Sequence, residues 1–207
     1  MHKPNIILIG NGGHSRSCIE VIEQNNNFNI AGLIGKSKNE VDTEQLGYKV
    51  IATDEDLGRL AKEFEFALVV VGQIKSPSIR IQLFKQLIDL GFKLPTIIAP
   101  TASVSTYASI GKGTIIMQHA IVNAGAEIGM NCILNSKSLI EHDCIIKDHC
   151  HISTGAILNG GAKVDDGCFI GSGCIIKQDV SIGKDNVIEM GSVVYQDSNR
   201  NSMNSNQ

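Results

Sequence analysis

The sequence predicts two structural units in series: a small α/β domain with a parallel sheet, then a parallel β-helix built from hexapeptides. Three observations carry this reading. The chain starts with a strand, a glycine-rich turn and a helix; every sixth position from Ile98 to Val194 is aliphatic; and the 207 residues hold 21 Gly but only six Phe, three Tyr and no Trp. A core with so few rings must be filled by aliphatic and small side chains in a repetitive arrangement. The length is ample for such a core without disulfide or metal staples.

The first unit opens with Asn5 to Ile9, a short apolar run that reads as a buried strand. Gly10-Asn11-Gly12-Gly13-His14-Ser15 follows, and Cys18, Val21 and Ile22 then keep helical spacing to about Gln24. A turn of this kind presents backbone N–H groups at a helix N-terminus, a place suited to phosphate. The motif is G-x-G-x-x-S, and Gly35-Lys36 stand where a dinucleotide site would carry an acid after the second strand, about Ile30 to Ile34. The turn therefore reads as a ligand site in a Rossmann-like domain, but not as an NAD site.

Thr53-Asp54-Glu55-Asp56 resembles a capping box opening a helix to about Phe64. Phe66 to Val71 reads as a buried strand and Ser78 to Leu90 as a helix ending before Gly91. Strands alternating with helices give a parallel sheet. Pro95 and Pro100 flank the change of texture, so the domains are read as 1–95 and 96–194, with the Asn- and Ser-rich segment 195–207 as a disordered tail.

In the second unit, the position four residues after each aliphatic one is Ala, Ser, Thr or Cys everywhere except Val180 and Asn186. One aliphatic and one small inward residue per six is the signature of stacked hexapeptide coils, in which residues eighteen apart lie above one another when three hexapeptides close a coil. The period does not fix the handedness. Cys132, Cys144, Cys150, Cys168 and Cys174 fall on the small inward position, where a thiol packs as a small apolar group. No CxxC pair is present, and His119, His142, His149 and His151 are never eighteen or a multiple apart, so no metal site is expected.

Charge and hydropathy narrow the function further. Lys plus Arg total 18 against 21 for Asp plus Glu, without runs of one sign, so nucleic acid and anionic membranes are not expected partners. The longest early apolar run, Ile6 to Ile9, is far too short for a membrane span or a signal-peptide core, so a soluble cytoplasmic protein is expected. The chemistry-bearing constellation is Glu141-His142-Asp143, which sets an imidazole between two carboxylates. A neutral imidazole can take a proton from an attacking hydroxyl or amine, and an adjacent carboxylate sets its tautomer and stabilises the cation.

Ile-Leu-Ile-Gly-Asn-Gly-Gly-His-Ser near the start, Asn-Ser-Lys-Ser-Leu-Ile-Glu-His-Asp-Cys in the repeat, and His-Ile-Ser-Thr-Gly-Ala after it together resemble the bacterial sialic acid O-acetyltransferases of the NeuD type. Their relatives are the UDP-amino-sugar N-acetyltransferases of the PglD type. The resemblance implies a left-handed β-helix, a homotrimer, and acetyl-CoA as co-substrate in the groove between subunits. It also implies that the N-terminal domain helps to hold a sialic acid or sugar nucleotide. Position by position, it implies His142 as general base, Asp143 as its supporting carboxylate, and Asn135 and His151 as polar groups of the acceptor and acetyl-CoA site. Ser172 and Met190 match cofactor-contacting positions, and Gly12, Gly13 and His14 match the turn that holds the nucleotide.

Two departures stand out. Gly35 replaces an acid that the UDP-sugar relatives often carry, which leaves the nucleotide open. The chain also passes from Val194 into a polar segment where the family usually continues with a Gly-x-Pro-Ala-Lys-like stretch. The expected activity is direct O-acetylation of sialic acid, free or CMP-linked, for capsule polysaccharide biosynthesis. N-acetylation of a UDP-linked amino sugar and a non-catalytic sugar-nucleotide-binding scaffold are the alternatives.

Overall fold

A computed structural model describes residues 3–198. The chain forms two compact units. One comprises the residues up to Gly72 together with Ser78–Pro100; the other comprises Gln73–Pro77 and the residues from Thr101 onward.

The first unit is a parallel α/β sheet. Its elements are β1 (Asn5–Ile9), α1 (Gly13–Asn25), β2 (Asn29–Gly35), β3 (Glu44–Gln45), β4 (Tyr48–Thr53), α2 (Leu57–Leu60), β5 (Phe66–Val69) and α3 (Ser78–Asp89). The sheet order is β3-β4-β2-β1-β5, parallel except for β3, which pairs antiparallel with β4. Ile6 to Ile9 of β1 are fully buried because β1 has strand neighbours on both sides, β2 and β5. The chain adds β2 and β4 on one side of β1 and then returns to the other for β5. The carboxyl end of β1 is thus a topological switch point, where ligands of such sheets bind.

Two elements differ from the sequence expectation. The β3–β4 hairpin was not expected; it turns at Leu46 and Gly47, with φ of 52° and 84°. That geometry is normally signalled by Asn-Gly or Asp-Gly, and Leu-Gly hides it. The expected helix from Asp54 to Phe64 is instead a 3₁₀ turn, Asp54–Asp56, followed by the four residues of α2. The Thr53–Asp56 capping box is present, but bonds such as Lys62 N–H to the Arg59 carbonyl have tightened to three-residue spacing.

The second unit is a left-handed parallel β-helix. Its two-residue strands lie on three faces, and each pairs in parallel with the strand eighteen residues away, as Ile121 with Leu139 and Leu139 with Ile157. The first face runs from Ser103–Val104 to Val193–Val194, the second from Ser109–Ile110 to Ser181–Ile182, and the third from Ile115–Ile116 to Val187–Ile188. The second residue of each strand points inward and is buried from Ile116 to Ile188. Val104, Ile110 and Val194, which lie near the two ends of the stack, are only half-buried.

Every sixth residue from Gly113 to Gly191 has a positive φ, and at this corner position stand only Gly, Asn, Asp, His and Lys. This left-handed residue turns the chain from one face to the next, and it is costly for branched side chains. The five repeat cysteines are free and fully buried, as packing groups should be. Their thiols also donate to the carbonyl fifteen residues on, Cys144 to Asn159 at 3.2 Å, Cys150 to Asp165 at 3.0 Å and Cys174 to Glu189 at 2.8 Å. The inward thiols thus add a donor to corner carbonyls, two of which, Asn159 and Glu189, also accept the backbone N–H three residues on, from Ala162 and Ser192.

The expected tail from residue 195 is shorter than the sequence reading. Ser198 N–H donates to the Ser181 carbonyl at 2.9 Å and Gly183 N–H to the Ser198 carbonyl at 2.8 Å, which extends the second face. Residues 199–207 of that tail lie outside the described residues. Among the described residues, no helix is long and apolar enough to cross a membrane.

Candidate active site

His142 stands at a corner between the first and second faces of the β-helix, one residue before the left-handed Asp143 (φ 58°). The corner forces both side chains outward, and they are 63% and 72% exposed. His142 Nδ1 lies 2.9 Å from Asp143 Oδ2. A carboxylate can only accept, so Nδ1 carries the proton, and in the neutral ring Nε2 keeps its lone pair. The hydrogen bond to Asp143 raises the imidazole pKa above its ordinary 6.5; desolvation opposes it, and the charges of Asp143, Glu141 and Asp179 add to the rise. Glu141 is itself held by Asn123 Nδ2, 2.9 Å from its Oε2.

Gly160, one coil further along, lies against the ring: a Cβ there would fall 2.7 Å from His142 Nε2. Gly160 is buried, and its N–H finds no acceptor among the described residues.

Asn135 and His151 meet at a different edge. His151 is 6% exposed on the third face; its Nδ1–H donates to the Gln73 carbonyl at 2.7 Å, and its Nε2 lies 3.2 Å from Asn135 Nδ2. Gln73 Nε2 in turn donates to the carbonyls of Gly167 and Cys168, both at 3.2 Å, so the segment Gln73–Pro77 is tied to this face. The edge of Phe169 packs against the His151 ring, centroids 5.1 Å apart. Ser172 and Met190, eighteen residues apart, share the corner between the third and first faces with Ser136. Ser172 Oγ lies 2.9 Å from Ser153 Oγ, and Met190 is 77% exposed.

One chain therefore places the expected residues in two groups. His142 and Asp143 flank one edge of the first face; Asn135, Ser172 and Met190 flank the other. Between them the outward residues of that face form an aliphatic ladder, Ile121, Leu139, Ile157, Ile175 and Val193, with Ile121, Ile175 and Val193 39%, 37% and 46% exposed.

In the α/β unit, Gly12 caps α1 without a side-chain partner, and Gly12 and Gly13 are exposed with nothing within 4 Å of an added Cβ. The first N–H groups of α1 thus face open space at the switch point, next to His14. Ser15 Oγ donates to the Gly12 carbonyl at 2.6 Å, and Gln45 Nε2 donates to Ser15 Oγ at 3.0 Å, so the turn is braced from below. Gly10 (φ 119°) must be glycine, since a Cβ would lie 2.8 Å from Val71 Cγ2.

The sequence reading missed Glu40. Its Oε2 would lie 2.6 Å from a Cβ on Gly35 and accepts Lys36 N–H at 2.9 Å, while Oε1 accepts from Ser37 Oγ at 3.1 Å. A carboxylate thus does stand at the end of β2, delivered from five residues downstream; the acid-bearing 3₁₀ turn Lys38–Glu40 was the available signal.

Two family models match the chain: the PglD N-terminal domain over residues 5–87 and the bacterial transferase hexapeptide (six repeats) over residues 161–196. The acetyltransferase domain of PglB from Neisseria gonorrhoeae FA1090, solved in complex with acetyl coenzyme A, is 30% identical at a TM-score of 0.86, over 95% of this chain and 93% of that one. The protein belongs to the hexapeptide transferases. Perosamine N-acetyltransferase from Caulobacter crescentus, solved with CoA and GDP-perosamine in a form with one histidine replaced by asparagine, is 28% identical to this hexapeptide transferase. Its TM-score is 0.87 over 93% of this chain and 89% of that one. WeeI from Acinetobacter baumannii AYE, 22% identical at a TM-score of 0.80 over 93% and 92% of the two chains, shares the fold. No curated protein matches the hexapeptide transferase by sequence.

Proposed function

We propose that the protein is an acetyl-CoA-dependent sugar acetyltransferase in which His142 is the general base of a direct transfer. The observation that carries this reading is the exposed His142–Asp143 pair, with Nδ1 held by the carboxylate and the Gly160 backbone packed against the Nε2 side of the ring. The acceptor oxygen or nitrogen attacks the thioester carbonyl while Nε2 takes its proton. The oxyanion is held by the Gly160 N–H, the carbon–sulfur bond breaks, and the proton passes from His142 to the departing thiolate. No acetyl-enzyme forms: Cys144, the nearest thiol in sequence, is fully buried, and burial pushes its pKa up to about 11.

The acceptor we favour is an amino sugar linked to a nucleotide, giving N-acetylation. The match to the PglD N-terminal domain supports it, as do solved relatives that hold GDP-perosamine. Gly12, Gly13 and His14 would meet the nucleotide phosphates, and Glu40 would take the ribose hydroxyls that the missing acid at Gly35 would otherwise bind. Sialic acid, free or CMP-linked, is the second reading, drawn from the sequence likeness in the Glu-His-Asp segment.

The aliphatic ladder on the first face supports a homotrimer. Packing that face against a second copy would bury the ladder and bring His142 of one subunit toward Asn135, Ser172 and Met190 of the next, completing an acetyl-CoA groove that one chain holds only by halves. A cytoplasmic location follows from the use of acetyl-CoA.

Thiol release from acetyl-CoA, with product mass recorded, tests the reading. UDP- and GDP-linked amino sugars, sialic acid and CMP-sialic acid serve as parallel acceptors, with His142→Ala beside wild type. One acetyl group gained by an amino-sugar nucleotide, with loss in the variant, supports the favoured reading. Reaction of a sialic acid alone replaces the acceptor. Silence with all four moves the weight to a scaffold.

A further inference from the structure

Two glycines on neighbouring coils touch the His142–Asp143 pair. A Cβ on Gly160 would lie 2.7 Å from both Cε1 and Nε2 of the ring and 3.3 Å from Cδ2, and a Cβ on Gly125 would collide with Asp143 Oδ1. Neither glycine is demanded by the backbone. Gly160 is not in the left-handed region, where glycine has an advantage. Gly125 is, with φ of 73°, but His119, Asn131, Lys137 and Asp143 hold the same corner register with φ of 59°, 53°, 61° and 58°.

We propose that Gly125 and Gly160 are positioning residues, two notches in adjacent coils that seat the Asp143 carboxylate and the His142 ring in their working orientation. The inference rests on His142 being the base. The Asp143 carboxylate is fixed from two sides, Oδ1 over the Gly125 notch and Oδ2 on His142 Nδ1. The same notch recurs under Asp179 at Gly161 and under Asp185 at Gly167, so it is a standing feature of these corners. At Asp143 it is coupled to an imidazole. The Cε1–Nε2 side of the ring lies against Gly160, and because the ring is exposed a methyl group there would push it aside at little cost to the fold.

Gly160→Ala and Gly125→Ala test this, with Gly155→Ala as control. Gly155 has φ of 66° and nothing within 4 Å of an added Cβ, so it reports backbone strain alone. Gly160→Ala is expected to lower kcat about 100-fold at an unchanged melting temperature, as a base displaced by about 1 Å would. Gly125→Ala is expected to bring the His142 titration midpoint, read by NMR from its Cε1 proton, down toward 6.5, leaving Glu141 and Asp179 as the acids still facing the ring. Gly155→Ala is expected to keep the wild-type midpoint. A wild-type kcat in Gly160→Ala, or a Gly125→Ala midpoint equal to that of Gly155→Ala, overturns the proposal. Undiminished turnover in His142→Ala would instead remove the functional reading, and the NMR titration would still decide whether Gly125 seats the carboxylate.

Discussion

His142 and His151 lie nine residues apart in the same repeat, and the fold gives them opposite surroundings. His142 occupies a corner, where the chain must turn and side chains splay into solvent; one ring nitrogen meets a carboxylate and the other is open. His151 occupies a strand on a covered face, and both of its nitrogens are engaged, by the Gln73 carbonyl and by Asn135. A two-residue strand and a four-residue corner alternate throughout, so register alone decides which histidine can exchange a proton with a substrate. The first is the base in the reading proposed above; the second ties the segment Gln73–Pro77 to the β-helix.

The sharpest way to break that contrast is to remove each ring. His142→Ala should lower kcat by about 10²–10⁴-fold, the usual worth of a general base, with little change in melting temperature. His151→Ala should act mainly on stability, lowering it by roughly 1–3 kcal/mol because the Gln73 carbonyl loses its donor inside the fold. Thermal unfolding beside steady-state kinetics separates the two. If His151→Ala kept its melting temperature and lost kcat as severely as His142→Ala, both rings would belong to the chemistry and the contrast would fail.

Asp143→Ala comes next in size, an expected loss on the order of tenfold to a hundredfold. Its signature is in the pH profile. The base works as neutral imidazole, so kcat/KM rises as pH passes upward through the His142 pKa, and that limb lies above 6.5 while Asp143 stabilises the cation. Without the carboxylate the limb should move to lower pH as the plateau falls. A limb that stays in place would mean that Glu141 and Asp179 set the basicity and Asp143 only the orientation.

How much of this was legible depended on periodicity. The β-helix followed from one aliphatic residue in six, and Glu141-His142-Asp143 was visible because charged groups interrupt small turn residues. Asn135 and His151 were marked as site residues without any sign that a segment 78 residues before His151 would meet it, since a contact with the Gln73 carbonyl leaves no trace in side-chain patterns. Glu40 was missed for a related reason: an acid read by position at Gly35 is supplied from the next turn. The β3–β4 hairpin was lost to a Leu-Gly turn, and the left-handed corner position, occupied by chemically unlike residues, reads as irregular until the backbone angles are known.

The division of the site into two groups predicts a milder, cooperative defect when the first face is altered. Ile157→Glu or Ile175→Glu adds a charge to the aliphatic ladder at an outward position that the β-helix core does not use, so each subunit should still fold. If subunits associate through this face, the variant should sediment as a monomer at concentrations where wild type is a trimer. Its activity should then rise with protein concentration. A monomeric wild type with full activity would show instead that His142 completes its site within one chain.

The smallest expected effect is at Cys144, two residues from His142 and the obvious rival nucleophile in sequence. Its thiol points into the β-helix, is fully buried, and donates to the Asn159 carbonyl at 3.2 Å. Burial raises its pKa to about 11, so almost none of it is thiolate near neutral pH, and no path leads from its sulfur to a thioester outside the coil. Cys144→Ala should therefore cost about 1 kcal/mol for the lost sulfur and its hydrogen bond, and leave kcat within twofold of wild type. A loss of turnover as large as that of His142→Ala would require the corner to open during the reaction and expose the thiol, and would replace direct transfer with an acetyl-cysteine intermediate. The inward register of every repeat cysteine argues for the first outcome, because exposing Cys144 would open a coil whose inward residues are all packed against their neighbours.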